Sequence, residues 1–168
     1  MREKDKKEAL GHARRQLDKY LEMNDHRKTP ERYKILEAVY CIGSHFSLDD
    51  LSAYLEEKMH FIVSRPTLYN TLRLFGQLRL IIRHNVQGKT RYEPCIHGDN
   101  HIHQVCTVCG KMTEIQSSSV IQSLADIKHN RFRPDGFAVY IYGVCSKCQA
   151  MLTRQKTKEK KQNNIIKK

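Results

Sequence analysis

Apolar positions recur at helical spacing through the first half of the chain, then give way to short alternating runs. Ala9, Leu10, Ala13, Leu17, Tyr20 and Leu21 share one face of a helix over residues 4–22, which the polar run Asn24-Asp25-His26-Arg27-Lys28 interrupts. A second helix opens with Thr29 as N-cap and Pro30 at the first helical position, carries Ile35, Leu36, Val39 and Tyr40, and stops near Gly43. Ser47 caps a third, with Asp49 and Asp50 in the first turn, where the helix dipole favours carboxylates, ahead of Leu51, Tyr54 and Leu55. Ser64 caps a fourth, with Pro66 in its first turn and Leu68, Leu72 and Phe75 on one face. Two extended runs follow, 80–84 and 90–93, joined through a turn that Gly88 supplies. Three helices followed by a basic hairpin outline a winged helix-turn-helix; a helical bundle with an incidental hairpin shares the same pattern.

The character changes after Pro94, Gly98, Asp99 and Asn100. Runs 102–105 and 111–115 read as strands flanking a Cys-x-x-Cys-Gly turn. A helix starting at 117–119 holds Val120, Ile121, Leu124 and Ile127, and 137–142 is a dense apolar strand ahead of a second Cys-x-x-Cys. The expected organisation is α+β: an N-terminal winged helix-turn-helix domain over 1–95, a C-terminal α/β domain over 96–150, and a basic tail over 151–168.

Charge adds a partner to this outline. The 168 residues include 30 Lys+Arg against 18 Asp+Glu, a net charge of +12. The tail carries +6 of that, and residues 61–92, across the fourth helix and the hairpin, carry another +6. A basic surface within the folded part fits a polyanion, double-stranded DNA in the first place. The tail reads as a solvated segment able to add sequence-independent phosphate contacts. No run of 18 apolar residues occurs, and the chain starts Met1-Arg2-Glu3-Lys4-Asp5. The expectation is a soluble cytoplasmic protein with no membrane span, no secretory signal and no small-molecule substrate.

Six cysteines in such a chain point to reduced thiols or metal ligands rather than disulfides. Cys106-Thr-Val-Cys109 and Cys145-Ser-Lys-Cys148 are separated by 35 residues. Four thiolates from two tight turns form a closed tetrahedral shell suited to a structural zinc, with paired thiol-redox motifs as the competing reading. Cys41 lies in a helical run and is expected to be buried; Cys95 has no assigned role. His101 and His103 alternate along a strand, so both imidazoles face one way and Ile102 the other. Pairing about the Cys-x-x-Cys-Gly turn sets position 103 close to Glu114. Two imidazoles and a carboxylate on one face make a partial site for a borderline divalent metal, and equally a solvated polar face. His97 is a nearby further donor in the expected linker.

These pieces occur in order. Thr29-x-x-Arg32-x-x-Ile35-Leu36, His45-x-Ser47-x-x-Asp50-Leu51, Thr67-Leu68-Tyr69, Arg91-Tyr92-Glu93, His101-x-His103-x-x-Cys106-x-x-Cys109-Gly110-Lys111 and Tyr140-x-Tyr142-Gly143-x-Cys145-x-x-Cys148 resemble the ferric uptake regulator family of metal-dependent bacterial transcription regulators. The resemblance covers about residues 15–150. It implies a homodimer that binds a pseudo-palindromic operator, with an N-terminal winged-helix domain and a C-terminal dimerisation domain. By matching position it assigns structural zinc to Cys106, Cys109, Cys145 and Cys148, and a regulatory metal to His45, Glu93, His101, His103 and Glu114. Ferrous iron is the favoured co-effector, with Zn2+ or Mn2+ as other ions for the site. A further metal site of some members falls on Asn100, Ile102, Ile121 and Phe137, three of which cannot coordinate, so it is expected to be absent. The peroxide-sensing branch typically has aspartates where this chain has Glu93 and Glu114.

The matching recognition helix is 65–75. Arg65 and Asn70 are candidates for base edges, Tyr69 for a thymine methyl or phosphate, Arg73 for a phosphate, and Thr67 completes the non-core set. Arg27 and Lys28 match a segment that approaches the minor groove. Arg83 and Lys89 on the wing are backbone contacts. The resulting expectation is a metal-responsive regulator, most simply a repressor of metal-uptake genes, rather than an enzyme. The same fold sensing zinc, manganese, peroxide or haem is the alternative, and a zinc-dependent hydrolase a distant one.

Overall fold

A computed structural model describes residues 3–96, 101–134 and 137–166, and divides the chain into two units, Met1–Asp99 and Asn100–Lys168. The first is built from α1 (Glu3–Met23), α2 (Pro30–Ile42), α3 (Leu48–Met59) and α4 (Arg65–Gln77), followed by β1 (Ile81–Val86) and β2 (Lys89–Pro94). α2, α3 and α4 each start where a cap-position residue precedes an apolar period. Ser47 and Asp50 form a reciprocal capping box: the Ser47 hydroxyl accepts from the Asp50 backbone N–H, and the Asp50 carboxylate accepts from the Ser47 backbone N–H. The Ser64 side chain accepts from the Thr67 N–H. Thr29 stands at its cap position in extended conformation without a side-chain cap bond. Gly43 ends α2 at φ +63°, in the left-handed region that a side chain would strain.

Leu17 and Leu21 of α1, Ile35 and Val39 of α2, Leu51 and Leu55 of α3 and Leu72 and Phe75 of α4 close one core, joined by Phe46 and Tyr92. The hairpin is longer than the alternation implies. β1 and β2 pair antiparallel from Ile81↔Pro94 to Val86↔Lys89, leaving only Gln87 and Gly88 as the loop. Both take positive φ, 52° and 73°, as a primed two-residue turn requires. The sequence pattern ends the first strand at His84 because Asn85 resembles a turn residue; Val86 beyond it is buried and carries the strand onward. Phe46 adds a bridge to Tyr92, its N–H donating to the Tyr92 carbonyl at 2.9 Å and its carbonyl accepting from the Tyr92 N–H at 2.8 Å.

The second unit contains β3 (Ile102–Cys106), β4 (Met112–Ile115), α5 (Ser118–Ala125), β5 (Val139–Gly143) and α6 (Ser146–Ile166). Its sheet runs β4-β3-β5, with β3–β4 antiparallel and β3–β5 parallel. Among the described residues its buried apolar set is small, comprising Ile102, Val105, Cys106 and Cys148, while Ile127, Phe132, Ile141 and Tyr142 are exposed. Two expectations change here. The segment read as a tail from 151 continues α6 to Ile166, since 146–166 contains neither Gly nor Pro and is rich in Lys, Gln and other helix formers. Ile127 falls outside α5, which ends at Ala125. In the first unit Cys41 is exposed rather than buried, because α2 turns Ile35, Leu36, Ala38, Val39 and Tyr40 inward and leaves position 41 on its outer face. Among the described residues no helix is long and apolar enough to cross a membrane.

Replacing Ser47 with Ala should destabilise the protein by about 1 kcal/mol in denaturant unfolding at neutral pH. The Asp50 carboxyl is held below its ordinary range chiefly by the Ser47 backbone N–H, then by the Ser47 hydroxyl, with Arg91 adding to the effect. A depressed carboxyl stabilises above its unfolded pKa and loses that contribution as pH falls through its folded value. The part of the Ser47→Ala difference carried by the hydroxyl on Asp50 should therefore fade below about pH 4. An unchanged midpoint at neutral pH would show that the box contributes nothing.

Candidate metal centres and nucleic-acid interface

Strand pairing in the first unit gathers three side chains with metal-competent donor atoms, His45, His84 and Glu93, from separate segments. The Phe46↔Tyr92 antiparallel bridge sets position 45 opposite position 93, on the side of the bridge away from the helical core. His45 Nε2 lies 2.8 Å from Glu93 Oε2, with side-chain exposures of 11% and 5%. From the other strand, His84 Nε2 lies 3.1 Å from Glu93 Oε1, and its side chain is fully buried. The hairpin register explains this approach: Ile82 faces Glu93, and His84, two residues on, shares its face. Sequence reasoning misses His84. Its only sequence signal is strand parity with Ile82 and Val86, which becomes readable once β1 extends past Asn85.

The second unit brings His101, His103 and Glu114 together by the expected alternation. His103 pairs directly with Glu114 across β3–β4. His101 Nε2 lies 3.9 Å from Glu114 Oε1, and the two imidazole centroids are 4.5 Å apart. On its other side His103 pairs with Tyr140 of β5 and stacks on that ring at 5.1 Å. Imidazole nitrogens and carboxylate oxygens of this kind suit borderline first-row divalent ions. His97 and Asn100 lie outside the described residues. Of the other positions matching a further metal site, Ile102 is buried in the sheet, Ile121 is half-buried on α5, and Phe137 is exposed.

The four cysteines meet at the end of the sheet. Cys106 ends β3, and its carbonyl accepts from Gly110, whose φ of +70° lets the Cys106–Cys109 turn close. Thr107 N–H donates to the Gly143 carbonyl at 2.7 Å, tying this turn to the segment that leads into Cys145 and to Cys148 in the first turn of α6. All four Sγ atoms lie within 4.8 Å of one another, with Cys109 and Cys145 at 3.9 Å. A tetrahedron with Zn–S bonds of about 2.3 Å requires S···S separations near 3.8 Å. The donor set therefore fits a closed zinc shell. The backbone N–H of Cys145, followed by that of Cys109, pulls the Cys106 thiol down to about 6, whereas desolvation pushes Cys148 up to about 12. Four clustered thiols cannot all ionise without a compensating cation, and a dication supplies that charge.

The side chains expected to meet DNA divide by what already holds them. Tyr69, Asn70 and Arg73 are exposed on α4, while Leu68, Thr71, Leu72 and Phe75 are buried on its opposite face. Arg65 is exposed, but its Nη1 donates to Asp49 Oδ1 at 2.6 Å. Thr67 is half-buried, and its hydroxyl meets Ser64 Oγ at 2.8 Å within the helix cap. Lys28 pairs with Glu22 at 2.6 Å, and that hydrogen bond raises its pKa; Arg27 is exposed, and its carbonyl accepts from Arg32. Arg83 and Lys89 are exposed on the hairpin.

A sequence profile of the Ferric uptake regulator family matches residues 23–142. Over 127 residues the chain is 38% identical to the ferric uptake regulation protein of Neisseria meningitidis, spanning 73% of this chain and 85% of that protein. Over 131 residues it is 30% identical to the peroxide-responsive repressor PerR of Staphylococcus aureus, spanning 73% and 82%. In fold it is similar to the ferric uptake regulator of Helicobacter pylori, with a TM-score of 0.68 over 83% of this chain and 93% of that one, at 19% identity.

If the thiol cluster is a closed zinc shell, Cys109→Ser and Cys148→Ser should each lower chelator-resistant zinc from one ion per chain to none, read by elemental analysis. The exposed Cys41→Ser should keep its zinc. Retention of zinc by both cluster variants would contradict the assignment.

Proposed function

The chain belongs to the ferric uptake regulator family of metal-responsive transcription regulators, and from that premise we propose that it is a ferrous-iron-responsive repressor of metal-uptake genes, acting in the cytoplasm as a homodimer on a pseudo-palindromic operator. Members of the family bind DNA and are dimeric; they are transcription regulators and not enzymes. The observation that carries the reading is the pairing of imidazole with carboxylate in each unit, His45 with Glu93 in one and His101 and His103 with Glu114 in the other. A divalent ion at the regulatory site, for which the family resemblance supplies His45, Glu93, His101, His103 and Glu114 as donors, favours the DNA-binding arrangement of the protein. A thousandfold preference for that arrangement corresponds to about 4 kcal/mol, enough to switch a two-state equilibrium.

The chain's own residues perform the readout. α4 presents Tyr69, Asn70 and Arg73 as a recognition face, and Arg65 joins them by exchanging Asp49 for DNA. Thr67 contributes through the cap that orients the helix start. Arg27 and Lys28 lie before α2, where a minor-groove contact would read groove width. In a dimer, the separation of two such helices must match the half-site spacing. The second unit supplies the homodimer surface in this proposal: β5 is a sheet edge, and Ile141 and Tyr142 on it are 46% and 61% exposed. Cys106, Cys109, Cys145 and Cys148 hold a structural zinc that keeps this unit folded.

Iron is favoured over zinc or manganese by the 38% identity to ferric uptake regulation proteins, since the N/O donor set alone accepts several first-row ions. A peroxide-sensing role is the second reading, supported by the 30% identity to PerR and opposed by Glu rather than Asp at 93 and 114.

The double substitution His101→Ala, His103→Ala tests the proposal. Metal-stimulated binding to an operator selected from random duplexes should drop at least about a hundredfold, towards the metal-free level, while the zinc content stays unchanged. A variant that still responds fully to ferrous or manganous ion would overturn the assignment.

A further inference from the structure

His84 stands outside the five side chains assigned to the regulatory metal, yet it is at least as buried as Glu93 and His103 and more buried than His45 and His101, which are only half-buried. Its side chain has no solvent exposure, and its Nε2 approaches Glu93 Oε1 at 3.1 Å while His45 Nε2 approaches Oε2 at 2.8 Å. The two oxygens of one carboxylate are thus addressed by two different imidazoles, whose ring centroids are 5.3 Å apart. The hairpin fixes this division, because His84 reaches Glu93 diagonally across β1–β2 and His45 reaches it through the Phe46↔Tyr92 bridge.

We infer that His84 is a positioning residue for the regulatory metal: its imidazole occupies Glu93 Oε1 and leaves Oε2, the oxygen beside His45, as the one presented for coordination. This rests on the assignment of Glu93 and His45 to that metal. At 3.1 Å, His84 Nε2 and Glu93 Oε1 are close but not aligned as a hydrogen bond; a carboxylate only accepts, so closing the contact requires the His84 tautomer with its hydrogen on Nε2. A donor on one oxygen fixes the carboxylate plane and disfavours bidentate chelation, the way outer partners orient metal-bound carboxylates generally. His84 also gives the site a preorganised half before any ion arrives, because His45, His84 and Glu93 all belong to the first unit. Two imidazoles and one carboxylate from the hairpin and its bridge would otherwise have to be ordered at the moment of binding.

Reach separates positioning from packing. A glutamine side chain here carries an amide N–H near the place of the imidazole Nε2, whereas an asparagine side chain stops near Nδ1, and both are polar and smaller than histidine. His84→Asn should weaken binding of the second metal about 10- to 100-fold and alter the visible spectrum of the cobalt(II)-loaded protein. His84→Gln should stay within about threefold of wild type and keep the wild-type spectrum. Zinc at the four cysteines should remain at one ion per chain in both. Equal affinities for the two variants, whether both like wild type or both weakened, would overturn the inference, since neither result depends on reaching Oε1. Failure of the wild-type protein itself to take up a second ion would instead overturn the regulatory-site reading on which the inference rests.

Discussion

A carboxylate that is 3% exposed has to be compensated, and the first unit is arranged around that requirement at Glu93. Moving an ion of this size out of water costs several kcal/mol even after relaxation, so a buried carboxylate persists only with close partners. Its close neighbours here include two imidazoles, one beside each oxygen. Each is delivered by backbone pairing rather than by a flexible side chain: β1–β2 brings His84, and the single bridge from Phe46 to Tyr92 brings His45. Phe46 and Tyr92 are themselves members of the helical core. The packing that holds α1 to α4 therefore also fixes the polar cluster, and a change in that cluster is mechanically linked to the frame that carries α4.

The second unit faces the opposite problem, too little buried apolar surface. A few side chains of its sheet and of the cysteine cluster are buried, while Phe132, Ile141, Tyr142 and Met151 are exposed. A core of this size does not stabilise a domain unaided. Four thiols at the sheet end, with Cys148 in the first turn of α6, join β3, the loop before α6 and α6 itself at one point. In the proposed dimer the remaining apolar surface is covered by a second copy of the chain. In that proposal zinc and partner take over the role that a larger core would play.

The parts of this structure that are legible in the sequence are those where one local interaction decides. Ser47 and Ser64 mark helix starts because a side-chain oxygen there answers an otherwise unpaired N–H. The His103–Glu114 pairing follows from the centre of the Cys-x-x-Cys-Gly turn, and the two cysteine pairs from their spacing alone. What escapes depends on tertiary context. His84 faces inward only because β1 continues through Asn85 to Val86, which a turn-like Asn conceals. α6 has no apolar period beyond Leu152 to announce it, and only the absence of breakers allows it to continue. Cys41 is exposed because α2 buries the residues just before it and turns position 41 outward.

The central claim is that one chain carries two chemically distinct metal sites, a closed thiolate shell and an exchangeable N/O site. Counting metals tests it most directly. Protein purified without oxygen, treated with a mild chelator and reloaded with ferrous iron should contain, by elemental analysis, one resistant zinc and one exchangeable iron per chain. Resistant zinc with no uptake of iron, manganese or further zinc would contradict the second site.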